Sequence, residues 1–130
     1  MIGLLKKYWL SALVITIILV LCFMNPKSLP ASPMQNFDKV VHTLMFLGLA
    51  AVIFFDNTSY LRFSISKLRI FLGTFLFPVA FGGLIEIMQR YLTKTRSGEW
   101  FDFLADAVGV FFAMGVALLI NRYFLMKKVA

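Results

Sequence analysis

The chain has 130 residues, of which 61% are hydrophobic and only 15% are charged, and its formal net charge is +7. Average soluble domains are roughly 45–50% apolar, so this composition excludes a water-soluble globule of this size. The basic residues form no stripe with stacking aromatics outside the apolar runs, which excludes a nucleic-acid partner. The single cysteine excludes an internal disulfide. Residues 1–130 therefore form one membrane domain.

Four apolar stretches predict an all-α fold, an integral membrane bundle of four transmembrane helices. Each stretch is close in length to the roughly 20 residues that a helix needs to cross the hydrocarbon core of a bilayer. The predicted spans cover residues 8–24, 37–55, 68–90 and 100–119. Lysines precede the first span, as in a signal peptide, but no small-x-small cleavage pattern follows it, which favours an uncleaved anchor. Pro78 in the third span predicts a kink.

The lysines and arginines orient the predicted bundle, because short loops rich in these residues stay in the cytoplasm. With the N-terminus inside, eight of them fall on the cytoplasmic side and five on the outer side. The cytoplasmic set is Lys6, Lys7, Arg62, Lys67, Arg69, Arg122, Lys127 and Lys128, and the outer set is Lys27, Lys39, Arg90, Lys94 and Arg96. We therefore predict that both termini are cytoplasmic and that membrane lipids surround the helices.

Almost every acidic residue falls at the predicted outer ends of the helices, whereas Asp56 lies at the opposite face. Helical spacing aligns Asp38 with His42, Glu86 with Gln89 and Arg90, and Asp102 with Asp106. On the fourth helix the polar stripe merges into small residues that permit close helix approach, namely Ala105, Gly109, Ala113 and Ala117. This pattern predicts an outward-opening polar pocket with the ligand-binding residues Asp38, Lys39, His42, Glu86, Gln89, Arg90, Arg96, Asp102 and Asp106.

These residues carry a family resemblance. The patterns Asp38-Lys39-x-x-His42-x-x-x-Phe46, Glu86-x-x-Gln89, and Arg96 followed by Asp102, Asp106 and Gly109 resemble the VanZ-like family of small bacterial membrane proteins. The family usually has asparagine where this chain has Asp106. Its founding member is associated with resistance to the glycopeptide teicoplanin, so the resemblance implies a cell-envelope role in the bacterial cytoplasmic membrane.

Candidate catalytic residues are His42 and Glu86, with Asp38 one turn from His42 to orient its ring. Ser97 is the nearest candidate nucleophile, and it lies in a loop without an elbow motif. A metal site would have one imidazole plus carboxylates, whereas zinc normally asks for more nitrogen or sulfur, so no metal or cofactor is predicted. Other interpretations of the acids are a proton or cation relay, and ion pairs that only hold the bundle together.

The leading functional hypothesis is non-catalytic: the pocket binds an envelope component or lipoglycopeptide and thereby contributes to teicoplanin-type tolerance. Arg90, Lys94 and Arg96 beside Trp100 indicate a site for anionic headgroups. The alternatives are an intramembrane enzyme that acts on a lipid-linked envelope precursor, and a purely structural membrane protein. The small-residue stripe serves packing within one chain or between chains, which leaves the oligomeric state open.

Overall fold

The computed structural model describes residues 2–25, 37–61, 66–94 and 99–129. Every element within these ranges is helical, which confirms the all-α prediction for the described chain. The elements are α1 (Ile2–Lys7), α2 (Trp9–Phe23), α3 (Phe37–Leu61), α4 (Lys67–Ile70), a π-helical segment (Phe71–Leu76), α5 (Phe77–Leu92) and α6 (Trp100–Val129).

Within the described ranges, three helices are long and apolar enough to cross a membrane, where the sequence predicts four. They cover Phe37–Thr58, Lys67–Leu92 and Trp100–Lys127, and they correspond to the second, third and fourth predicted spans. The first predicted span corresponds to α2, an apolar helix of 15 residues. At about 1.5 Å per residue, such a helix falls short of a hydrocarbon core about 30 Å thick.

The tightest helix pair is α3 with α6, and small residues set its spacing. A Cβ atom added at Gly109 would overlap the carbonyl oxygen of Thr43 and lie 3.0 Å from the amide nitrogen of Leu47. Ala113 and Ala117 continue this buried stripe along α6. The small-residue stripe therefore serves packing within the chain, because a larger side chain at position 109 would meet the α3 backbone.

Apolar side chains fill the space between the helices around this pair. The main core cluster takes residues from four helices: Ile18, Cys22, Phe46, Leu49, Ala50, Ile53, Ile85, Val110 and Ala113. Large apolar side chains also cover the outer surface, for example Phe111 and Leu119, each about two-thirds exposed. An apolar exterior of this kind suits contact with lipid hydrocarbon rather than with water.

The helix of the second span runs past its predicted end at Asp56-Asn57 and reaches Leu61. Asp56 is buried there, and its Oδ2 accepts hydrogen bonds from the backbone amide and the hydroxyl of Ser11 at 3.0 and 2.7 Å. Asn57 accepts a bond of 2.6 Å from the hydroxyl of Tyr8, the residue at the bend between α1 and α2. The amide of Ser11, in the first turn of α2, thus donates a hydrogen bond to a carboxylate of α3.

Replacing Asp56 by alanine is expected to lower the free energy of unfolding by about 1–2 kcal/mol, the usual cost of losing a helix cap. The variant leaves the Ser11 amide and hydroxyl without their acceptor. Asp56→Asn keeps an acceptor oxygen and should retain most of the stability. Unfolding of the purified protein by SDS in mixed micelles, followed by circular dichroism, measures both. An alanine variant as stable as the wild type would contradict this capping role.

The helix of the third span changes its hydrogen-bond register just before Pro78. The amide of Phe77 donates to the carbonyl of Leu72, five residues back, which is the π-helical pattern of the segment Phe71–Leu76. Proline has no amide hydrogen to continue an α-helical ladder, so an irregularity at this point has a local cause. The sequence predicts a kink near Pro78, and the observed irregularity is this π-helical segment.

Candidate functional site

Four buried polar residues from three helices meet at one end of the bundle. We call them the polar cluster: His42 on α3, Glu86 on α5, and Asp102 and Asp106 on α6. Each is at most 9% exposed. Lys39 and Glu99 form the rim of the cluster, with side chains that are about a third and half exposed. The prediction that the acids at this end of the helices gather together is therefore confirmed for these residues.

Helical spacing and the close helix crossing together assemble the polar cluster. Asp102 and Asp106 lie one turn apart on α6, and Lys39 and His42 lie nearly one turn apart on α3. Gly109 lies one turn beyond Asp106, at the point where α6 touches the α3 backbone. Because the two helices are so close there, the short Asp106 side chain reaches the imidazole of His42.

His42 lies between two carboxyl groups of α6. Its Nδ1 forms a hydrogen bond of 2.8 Å with Oδ1 of Asp106, and both side chains are almost completely buried. Its Nε2 lies 3.9 Å from Oδ2 of Asp102. The carboxyl group that orients the ring is thus Asp106, on a neighbouring helix. The predicted orienting residue, Asp38, is exposed at the start of α3, so that prediction was wrong.

Glu86 joins α5 to the start of α6. Its Oε2 accepts a hydrogen bond of 2.9 Å from the backbone amide of Glu99, the residue that precedes α6. Its Oε1 is buried and has no hydrogen-bond partner in the described part of the chain. Arg90, which helical spacing aligns with Glu86, is exposed and forms no ion pair with a described residue.

Lys39 links the polar cluster to the surface. Its Nζ lies 3.6 Å from Oε2 of Glu99 and 3.7 Å from Oδ1 of Asp102. Both distances are longer than a direct charge-assisted hydrogen bond of about 2.7–2.9 Å, so these are loose ion pairs. A loose pair at a partly exposed rim is inexpensive to separate, because water screens both charges. Lys39 is therefore an accessible charged contact of the cluster.

Gln89, one of the predicted ligand-binding residues, forms a contact between two helices. It is buried, and its Nε2 donates a hydrogen bond of 2.8 Å to the backbone carbonyl of Cys22. That carbonyl lies in the last turn of α2, where intrahelical donors run out, so Gln89 ties α5 to the end of α2. The predicted ligand-binding residue Arg96 and the candidate nucleophile Ser97 lie outside the described residues.

Sequence reasoning missed two contributors to this site. The predicted ligand set does not include Glu99, because its backbone contact with Glu86 has no sequence signal. A Cβ atom added at Gly82 would lie 3.0 Å from Oδ2 of Asp106 and 3.1 Å from Cε1 of Phe46. Glycine at position 82 therefore leaves space beside a buried carboxylate oxygen.

The polar cluster is closed rather than open as predicted. His42 and Asp106 are 3% and 0% exposed, so only the rim meets the surroundings. A cavity of about 340 Å³ lies between α3 and α6, but apolar residues such as Leu47, Phe54 and Val116 line it. Lys39 and Glu99 are therefore the rim residues that an incoming ligand can contact without a rearrangement.

The described side chains of the polar cluster can exchange protons, accept hydrogen bonds or hold a cation. They include no hydroxyl or thiol that could act as a nucleophile. The chain matches no protein-family model, no curated protein and no solved structure.

Proposed function

We propose that this chain is a VanZ-like integral membrane protein of the bacterial cell envelope that binds an envelope component or a lipoglycopeptide at its outer face. Binding would change the ligand's access to its target and so contribute to teicoplanin-type tolerance. The observation that supports this proposal best is the polar cluster itself. A bundle surrounded by lipid has no general reason to bury four ionisable side chains at one end.

The rim supports binding in preference to a purely structural role. Lys39 and Glu99 are partly exposed and loosely paired, so an incoming polar headgroup can replace these contacts at low cost. Beyond the rim, Arg90 and Trp100 are exposed near the same end of the bundle. A guanidinium group binds phosphate, and an indole ring favours the membrane interface, so this pair suits an anionic lipid-linked headgroup.

The proposal includes a membrane topology. We place α2 as a fourth, shorter transmembrane segment, continued by α1 towards the cytoplasm, and both termini on the cytoplasmic side. Its support is the apolar composition of α2 and the eight-to-five distribution of basic residues. The polar cluster then faces outward. Reporter fusions after residue 130 and after Asn25 measure the sidedness, and an outer location of the C-terminus would contradict this topology.

A second candidate function is an intramembrane enzyme that acts on a lipid-linked envelope precursor. The hydrogen bond between His42 and Asp106 favours it, because a carboxylate partner of this kind orients an imidazole for acid–base catalysis. Glu86 would be the second acid–base group. This candidate predicts a change of mass in the envelope lipids that disappears in His42→Ala, whereas simple binding predicts unchanged lipids.

The test compares strains with and without the protein for teicoplanin susceptibility and for the mass spectrum of envelope lipids and wall fragments. Glu86→Gln and Arg96→Ala should lose most of the protection, because a lost contact of about 1.4 kcal/mol weakens binding about tenfold. Gly115→Ala is the matched control, since no heavy atom of the described chain, apart from the two neighbouring residues and the helix's own backbone, lies within 4 Å of the added methyl group. Full protection by both variants at normal expression would overturn the binding proposal. If protection falls only because the variants are expressed at a lower level, the result would favour a purely structural membrane protein.

A further inference from the structure

We infer that His42, Glu86 and Asp106 form a binding site for a divalent transition-metal ion of the Zn²⁺ or Mn²⁺ type. One candidate ligand atom from each of these side chains lies within 4.8 Å of the others, and all three residues are buried. This inference goes beyond the proposed function, because it concerns an ion held inside the polar cluster and needs no envelope ligand.

The carboxyl groups supply the strongest argument. Glu86 and Asp106 each use one oxygen for a contact within the protein: Oε2 accepts from the Glu99 amide, and Oδ1 pairs with His42. The second oxygen of each group, Oε1 and Oδ2, is buried and has no hydrogen-bond partner among the described residues. A buried carboxylate oxygen without a partner is costly, and a bound cation removes that cost.

The charges near these two acids also favour a cation. Lys39 is paired with Asp102 and Glu99, two further acids at this end of the bundle. Across the described ranges, no lysine or arginine forms an ion pair with Glu86 or Asp106, and Asp106 contacts the imidazole of His42. A metal-bound imidazole is neutral, so the two carboxylates then carry two negative charges, which one divalent ion balances.

The ligand set indicates the class of metal. One imidazole with two carboxylates is poorer in nitrogen and sulfur than most zinc sites, but it still fits Mn²⁺ or Zn²⁺ better than Mg²⁺, because imidazole suits transition metals. Ligand atoms that share an ion at about 2.0–2.2 Å lie roughly 3.0–3.5 Å apart. A separation of 4.8 Å between two of the candidate ligand atoms therefore needs to shorten by about 1.3–1.8 Å. The space beside Oδ2 of Asp106 exists because position 82 is glycine.

The experiment uses the purified full-length protein in detergent, stripped of metal with a chelator. The protein is then incubated with Zn²⁺ or Mn²⁺ and desalted, and its metal content is measured by mass spectrometry. We expect about one ion per chain for the wild type, and affinity at least about tenfold weaker for Glu86→Gln and Asp106→Asn. Asp56→Asn is the matched control, because it removes a buried acid at the opposite end of the bundle and should retain the metal.

A third variant tests the metal site even if Glu86→Gln and Asp106→Asn fail to fold. Gly82→Ala keeps every proposed ligand but adds a methyl group 3.0 Å from Oδ2 of Asp106, so it should also weaken binding. Circular dichroism identifies the variants that remain folded. No metal on the wild type, or equal amounts on wild type and folded variants, would overturn the site. This outcome would leave the proposed function intact if Glu86→Gln still lost protection in cells, so the two failures are distinguishable.

Discussion

Replacing Gly109 by alanine is expected to separate α3 from α6 and to lower the free energy of unfolding by about 3 kcal/mol, the upper end of the usual cost of overpacking. The added methyl group would overlap the carbonyl oxygen of Thr43. Neighbouring backbone cannot rotate away as a side chain can, so the whole helix has to shift. The expected measurement is a lower midpoint in SDS unfolding of the purified protein in mixed micelles.

The same substitution should also disturb the polar cluster. Asp106 lies one turn before Gly109 on α6, and His42 immediately precedes Thr43 on α3. A displacement at Gly109 therefore lengthens the hydrogen bond of 2.8 Å between His42 and Asp106. The imidazole resonances of the only histidine, followed by NMR in detergent, report this change independently of stability.

Gly115→Ala provides the matched control for Gly109→Ala on the same helix. No heavy atom outside the helix's own backbone lies within 4 Å of a methyl group at position 115. Because alanine is a better helix former than glycine by about 1 kcal/mol, this variant should be as stable as the wild type or slightly more stable. Equal losses of stability at positions 109 and 115 would show that helix packing does not explain the effect.

Replacing His42 by alanine is expected to lower the free energy of unfolding by about 3–5 kcal/mol, the cost found when one member of a buried charged pair is removed. The substitution leaves Asp106, which is completely buried, without its hydrogen-bond partner. It also removes the imidazole ring that lies between the carboxyl groups of Asp102 and Asp106. Unfolding in mixed micelles again provides the measurement.

A double-mutant cycle tests whether His42 acts through Asp106. The variants His42→Ala, Asp106→Ala and the double variant are compared with the wild type. The double variant should be more stable than the sum of the single losses predicts, by about 0.5–3 kcal/mol, because no unpaired partner remains. His42→Ala paired with Asp56→Ala is the control cycle, since these sites lie at opposite ends of α3 and should behave additively. Additive losses for His42 and Asp106 would contradict their direct coupling.

Polar residues are buried near both ends of α3, but for different reasons. At one end, Asp56 has partners on Ser11 that belong to the start of α2, and its hydrogen bonds explain its burial. At the other end, Glu86 and Asp106 keep buried oxygens that the described residues do not satisfy. Unsatisfied buried groups are more common at functional sites than in a packed core, so the polar cluster is the better candidate for function.

Much of the fold could be predicted from the sequence, because a bilayer restricts the possible structures. Apolar runs in lipid have to satisfy their backbone groups internally, so they become helices. The predicted spans from about residue 37, residue 68 and residue 100 therefore match the starts of the observed helices at Phe37, Lys67 and Trp100. The length of the first span differs from its prediction, because the chain bends at Tyr8 and leaves α2 with only 15 residues.

The contacts within the site depended on the tertiary structure. Helical periodicity groups residues of one helix on a face, and it correctly placed Asp102 with Asp106. It also aligned Asp38 with His42, but Asp38 is in the exposed first turn of α3 and does not hold the ring. Periodicity contains no information about where two helices cross.

The sequence by itself determined that this protein is helical, that its surroundings are apolar, and that its acids gather near one end of the helices. Only the tertiary structure decided which carboxyl group meets which partner: Asp106 with His42, Glu86 with the Glu99 amide, and Asp56 with Ser11. The physical reason is that composition and periodicity are properties of single segments, whereas these partners depend on the crossing of α3 and α6 at Gly109 and on the docking of α2 and α5 around it.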